Sequence, residues 1–104
     1  MTDRELLELA AKAAGYDIVF SDGTCFRVDN EWCREWNPLT DDSGALRLAV
    51  ARNLDVLTHV PRNEAPEIRV GGAVRRTTFQ RVDGDRLSAT RRAIVSAVAF
   101  ASPD

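Results

Sequence analysis

Ligands for metals and partners for disulfides are scarce in this sequence. It holds two cysteines, Cys25 and Cys33, and one histidine, His59. A structural zinc site takes about four closely spaced Cys, His or carboxylate ligands, so this set does not make one. No Cys-x-x-Cys pair occurs, and neither a phosphate-cradling Gly-x-x-x-x-Gly-Lys loop nor a dinucleotide fingerprint is present. Apolar runs are short as well. The longest, residues 93–101, falls well below the roughly 20 residues that span a bilayer and is interrupted by Ser96. The opening Met1-Thr2-Asp3-Arg4-Glu5 mixes charges and lacks the apolar core of a signal peptide. These absences predict a cytoplasmic protein with reduced thiols, no cofactor, no metal and no membrane contact.

What is present is ordinary globular material. The 104 residues are 44% hydrophobic and 29% charged, which suits one folded domain over residues 1–104 rather than a disordered chain. A chain of this size buries roughly 60–70% of its unfolded surface, enough to fold without staples. The net charge of −2 hides an asymmetry. Residues 1–61 carry six basic and eleven acidic side chains, a balance of −5, whereas residues 62–104 carry eight and five, a balance of +3. Lys12 is the single lysine, so nearly all the positive charge is arginine. The planar guanidinium fork suits carboxylate and phosphate recognition, although a GC-rich coding bias is the favoured explanation of the arginine use.

Residues 3–14 read as a helix. Thr2 and Glu5 have capping-box spacing, Leu6, Leu7, Ala10, Ala13 and Ala14 share a face, and Gly15 suits the position just past the end. Residues 16–20 and 25–29 read as a β-hairpin around Ser21-Asp22-Gly23-Thr24, with Ile18, Phe20, Phe26 and Val28 as the inward set. Asn37, Pro38 and Thr40 are helix-start residues, and Asp41 and Asp42 are favourable near a helix N-terminus. They predict a helix to about Asn53, burying Ala45, Leu48 and Ala49 together with Leu46 and Val50. Residues 54–60 form a strand stopped by Pro61. Residues 67–70 and 73–82 form a second hairpin turning at Gly71-Gly72, because both glycines tolerate positive φ. Asp85 caps a last helix with Leu87, Ile94, Val98 and Ala101 on one stripe and Arg86, Arg91 and Arg92 towards the other side. The expectation is an α+β fold in the order α-β-β-α-β-β-β-α. Its sheet would be mostly antiparallel, with four to five strands and three helices.

The stretch Trp36-Asn37-Pro38-Leu39-Thr40-Asp41-Asp42-Ser43-Gly44-Ala45-Leu46-Arg47-Leu48-Ala49-Val50 resembles a motif of small uncharacterised phage proteins, the phage α-β-α sandwich and NinX-like proteins. The opening helix and the closing Thr90-Arg91-Arg92-Ala93-Ile94-Val95 are similar to those of the same proteins, so the resemblance covers about half the chain. Residues 55–85 do not share it. It implies helices around an antiparallel sheet and a phage or prophage source. It brings no reaction, ligand or catalytic residue.

Residues able to carry chemistry are few. Cys25 sits within a strand and reads as a small core residue. Cys33, between two tryptophans and beside Arg34, has no base in reach along the sequence. Asp41 and Asp42 would suit half of a Mg²⁺ site, but helix capping explains them more simply. Asp83-Gly84-Asp85 lacks the other ligands of a calcium loop and reads as a turn. Arg69, Arg75 and Arg81 share parity with Thr77 and Phe79, and Arg76 takes the opposite face. An exposed ribbon carrying Arg75, Phe79 and Arg81 would combine phosphate contacts with base stacking. A solvated edge hairpin guarded by arginine is the competing explanation. Trp32 is a candidate interface anchor, while Trp36 is expected to pack on the second helix. The candidate binding residues are therefore Trp32, Trp36, Arg75, Arg76 and Arg81, with no catalytic or metal residue. The resulting expectation is a non-catalytic accessory factor that binds a host or phage protein. The alternative is a nucleic-acid- or nucleotide-binding module using the arginine-rich residues 69–92. A free strand edge would also allow a homodimer.

Overall fold

The computed structural model describes residues 1–60, 67–72, 78–81 and 84–100, with the side chains of residues 59, 60, 72 and 78–81 left out of the description. Within them the chain is α+β, with three helices and antiparallel strands in the order α1 (Asp3–Ala14), β1 (Asp17–Ser21), β2 (Thr24–Asp29), β3 (Trp32–Glu35), α2 (Asp42–Ala51), β4 (Leu54–Val60), β5 (Glu67–Gly72), β6 (Thr78–Arg81) and α3 (Arg86–Ala99). The strands form two three-stranded sheets, β1-β2-β3 and β4-β5-β6. A single sheet of four to five strands was expected. Two features account for the difference: β3, unforeseen among the charges of residues 30–36, adds a strand, and α2 separates the two sets along the chain.

Local chemistry sets the helix ends. The Thr2 hydroxyl accepts from the Glu5 N–H at 3.1 Å, and the Glu5 carboxylate accepts from the Thr2 N–H at 3.2 Å, closing the capping box. These contacts hold the Glu5 pKa below its usual value. Gly15, at φ 79°, ends the helix in the left-handed region open to glycine. Asp41 rather than Thr40 caps α2, its carboxylate accepting from the Gly44 N–H at 3.0 Å. Asn37 makes an Asx-turn to the Leu39 N–H at 3.1 Å, so Pro38 is buried in a turn ahead of the helix rather than in its first turn. The helix ends at Ala51, slightly early, because Asn53 takes a left-handed φ of 55° that turns the chain into β4. Asp85 caps α3 as expected, accepting from the Leu87 and Ser88 N–H groups.

Turn chemistry also sets the register. Asp22 and Gly23 both have positive φ, 51° and 79°, the signature of a two-residue type I′ hairpin. That turn pairs Phe20 with Cys25, Ile18 with Arg27 and Val19 with Phe26. Opposed residues share a sheet face, so Ile18, Phe20 and Cys25 face the core. Phe26 and Val28 lie on the other face, correcting the expected inward set. Gly71-Gly72 is not a turn: Gly71 pairs with Asp55 and Gly72 with Leu54, inside β5. The link from β5 to β6 passes through residues 73–77, outside the described residues.

α3 is the central element, in contact with α1, α2 and all three strands of the second sheet. Its Ala89, Ala93, Ile94, Val95, Ala97 and Val98 are buried, joining Leu6, Leu7, Ala10 and Ala11 of α1, Leu48 of α2, and Ile68 and Val70 of β5. Small alanines on α1 and α3 allow close helix approach, and each large aliphatic buried here contributes about 1.5–3 kcal/mol. Leu46, Val50 and Leu87 were expected in this core but are exposed. On α2 the buried stripe is Ala45, Leu48 and Ala49 alone. Leu46 and Val50 each lie one residue, about 100° of helix, beyond Ala45 and Ala49. Ala101 lies outside the described residues.

Candidate binding cleft

The side chains that stand out by chemistry meet between the first sheet and the start of α2. A cleft of about 340 Å³ is lined by Arg27 of β2, Trp32, Arg34 and Glu35 of β3, Trp36 and Asp41 of the following loop, and Ser43, Gly44 and Arg47 of α2. This volume is at the lower end of ligand-binding clefts. Pairing of β2 with β3 sets Arg27 directly opposite Arg34 and Asp29 opposite Trp32, placing these side chains on one face. The aromatic rings order that face. Trp36 meets Tyr16 edge-on at 5.8 Å. The Arg27 guanidinium lies 3.6 Å from the Tyr16 ring centre and 5.5 Å from that of Trp32. Arg34 lies 4.9 Å from the Trp32 ring centre.

The electrostatics break a rule of sheet design. Like charges directly opposed on neighbouring strands destabilise the pair, yet Arg27 and Arg34 are so placed. Neither makes an ion pair or hydrogen bond with any described residue, and the same holds for Arg47. Cation–π contact, worth about 0.5–1 kcal/mol at exposed sites, places the Arg27 guanidinium over Tyr16 and that of Arg34 over Trp32. Asp41, which also lines the cleft, accepts from the Gly44 N–H. Three guanidiniums without carboxylate partners therefore share one cleft.

Of the expected site residues, Trp32 and Trp36 both line this cleft, in different ways. Trp36 is buried, with its ring edge-on to Tyr16, and Trp32 is 37% exposed. Arg75 and Arg76 lie outside the described residues. Arg81 is placed by its backbone opposite Glu67 in β6, and its side chain is outside the described set. The stacking role expected of Phe79, placed opposite Arg69, is likewise outside it. In α3, Arg91 and Arg92 are committed internally: Arg91 pairs with Asp42 at 2.6 Å and donates to the Leu39 carbonyl at 2.8 Å, and Arg92 pairs with Asp3 at 3.0 Å.

Sequence reading overlooked Arg27, Arg34 and Arg47. Trp32, Arg34 and Trp36 do alternate with period two, which is a strand signal, but the three charges among residues 31–36 obscured it. Cys25 is buried, and desolvation raises its thiol pKa, the opposite of an activated nucleophile. Cys33 is exposed opposite Val28. Among the described residues no group of three or more Cys, His, Asp and Glu side chains is gathered as a metal site would need, and no helix is long and apolar enough to cross a membrane. No protein-family model matches the chain, and no curated protein or solved structure matches it with significance.

Proposed function

We propose that this chain is a non-catalytic protein-interaction factor, of the phage or prophage accessory kind, and that it holds its partner at the cleft between β2–β3 and α2. The observation that carries the reading is the set of unpaired guanidiniums around an exposed tryptophan. Arginine and tryptophan are the residues most enriched at the energetic centres of protein interfaces. Trp36, buried against Tyr16, gives the cleft a rigid floor. The phage source is supported only by the resemblance carried by the Trp36–Val50 motif and the two terminal helices.

The alternative surface, residues 69–92 binding nucleic acid or a nucleotide, has less support. Arg91 and Arg92 spend their charge on Asp42 and Asp3, leaving fewer cations free to meet phosphates.

A photo-crosslinking residue at Ser43, inside the cleft, tests the proposal against the same residue at Lys12 on α1. In lysate of the host cell, a discrete protein adduct at Ser43 that survives nuclease and is absent at Lys12 is the expected result. Adducts lost on nuclease treatment would transfer the function to nucleic-acid binding.

A further inference from the structure

Resting on the interaction reading above, we infer that the cleft recognises an acidic segment of a partner protein, taking Asp or Glu carboxylates on Arg27, Arg34 and Arg47. The first reason is charge complementarity. Arg27 and Arg34 are opposed across β2–β3, and no described carboxylate neutralises them or Arg47. A directly opposed like-charge pair costs stability, and departures from local consistency of this kind concentrate at functional sites. An incoming carboxylate turns the repulsion into a shared attraction.

The second reason is geometry. Arg27 lies over Tyr16 and Arg34 over Trp32. Contact with the rings positions these two guanidiniums beside the cleft, and their planar N–H forks can meet a carboxylate bidentately. Ordering these long side chains in advance lowers the entropy cost of binding.

The third reason separates a peptide from a nucleic acid. Two guanidiniums already lie within 6 Å of the Trp32 ring centre, so base stacking would have to displace them. Glu35 and Asp41 also line the cleft and would repel a continuous phosphate backbone. A peptide carries separate carboxylates that can meet the three arginines and avoid the acids.

The test uses the full chain and its tryptophan fluorescence, titrated with a hexaglutamate peptide, hexaglutamine, a hexathymidylate and inorganic phosphate. Hexaglutamate is expected to bind, with affinity falling steeply as salt rises, and hexaglutamine is expected not to. R34Q and R47Q lie on different elements and are exposed, so at least one should stay folded by circular dichroism. Each is expected to weaken hexaglutamate binding about tenfold, the effect of losing one charge-assisted contact. Equal binding of hexaglutamine, or full affinity in folded R34Q and R47Q, would overturn the inference. Tighter binding of hexathymidylate or phosphate would overturn it too. A nuclease-resistant adduct at Ser43 together with silent hexaglutamate would sink the acidic segment and leave the interaction factor standing. Hexathymidylate binding together with nuclease-sensitive adducts would remove both.

Discussion

Replacing Arg91 with alanine is expected to destabilise the protein by about 2–3 kcal/mol, although the residue lies outside the apolar core. Its guanidinium joins α3 to the loop before α2. Nε donates to the Leu39 carbonyl at 2.8 Å and Nη1 to Asp42 Oδ1 at 2.6 Å. The two contacts differ in worth. The Asp42 side chain is 66% exposed, so solvent screens the pair and it contributes about 0.2–1 kcal/mol. Leu39 is only 8% exposed, and losing a charged donor to its carbonyl costs about 1.5–3 kcal/mol. Urea unfolding of R91A, D42A and R91K separates these parts. D42A should lose at most about 1 kcal/mol, with much of the effect removed by 0.5 M salt. R91A should lose more than twice that, largely independent of salt, and R91K, with a flexible point charge in place of a fork, should fall between them. An R91A loss no larger than that of D42A would refute the assignment of the Leu39 contact as the main one. Because the same loop carries Trp36 and Asp41, R91A should also weaken ligand binding at the cleft.

Three further outcomes follow from burial. A thiol reagent should label Cys33 rapidly in the folded protein and reach Cys25 only on unfolding, read as one fast and one slow equivalent. Burial raises the Cys25 thiol above its ordinary pKa of 9.0, so the folded chain keeps the proton longer than the unfolded one. Its contribution is intact below about pH 9 and is lost as pH rises towards the folded value; unfolding curves above pH 9 should show this slope, and C25A should remove it. Leu48, 1% exposed, and Leu46, 64% exposed, lie two residues apart on α2. L48A should cost about 2–5 kcal/mol and L46A under about 1 kcal/mol in thermal or urea unfolding. Equal losses would mean that the surface stripe of α2 is covered in solution.

Some features were legible from local residues because their cause is local. The Thr2–Glu5 capping box, the Gly15 stop, the Asp22-Gly23 turn and the Asp85 cap need only neighbours within a few positions, and each appears where the residues predict it. The buried stripe Ala45–Leu48–Ala49 followed from helical spacing. The chain on its own therefore determined three helices, an antiparallel β content and their approximate order.

Tertiary structure decided which faces are covered and which distant residues meet. Leu46, Val50 and Leu87 have the apolar character of core residues, but α2 and α3 turn them to solvent, because helix packing covers only a stripe. Phe26 and Val28 changed face because a two-residue turn pairs Phe20 with Cys25, and a strand shifted by one residue presents its opposite side. Gly71-Gly72 has the composition of a turn, yet β4 supplies strand partners for both glycines. The candidate site was half visible: Trp32 and Trp36 stood out by type, and Arg27, Arg34 and Arg47 did not. Their common cleft depends on the cross-strand register of β2 with β3 and on the docking of α2, contacts between residues up to 20 positions apart that no local pattern encodes.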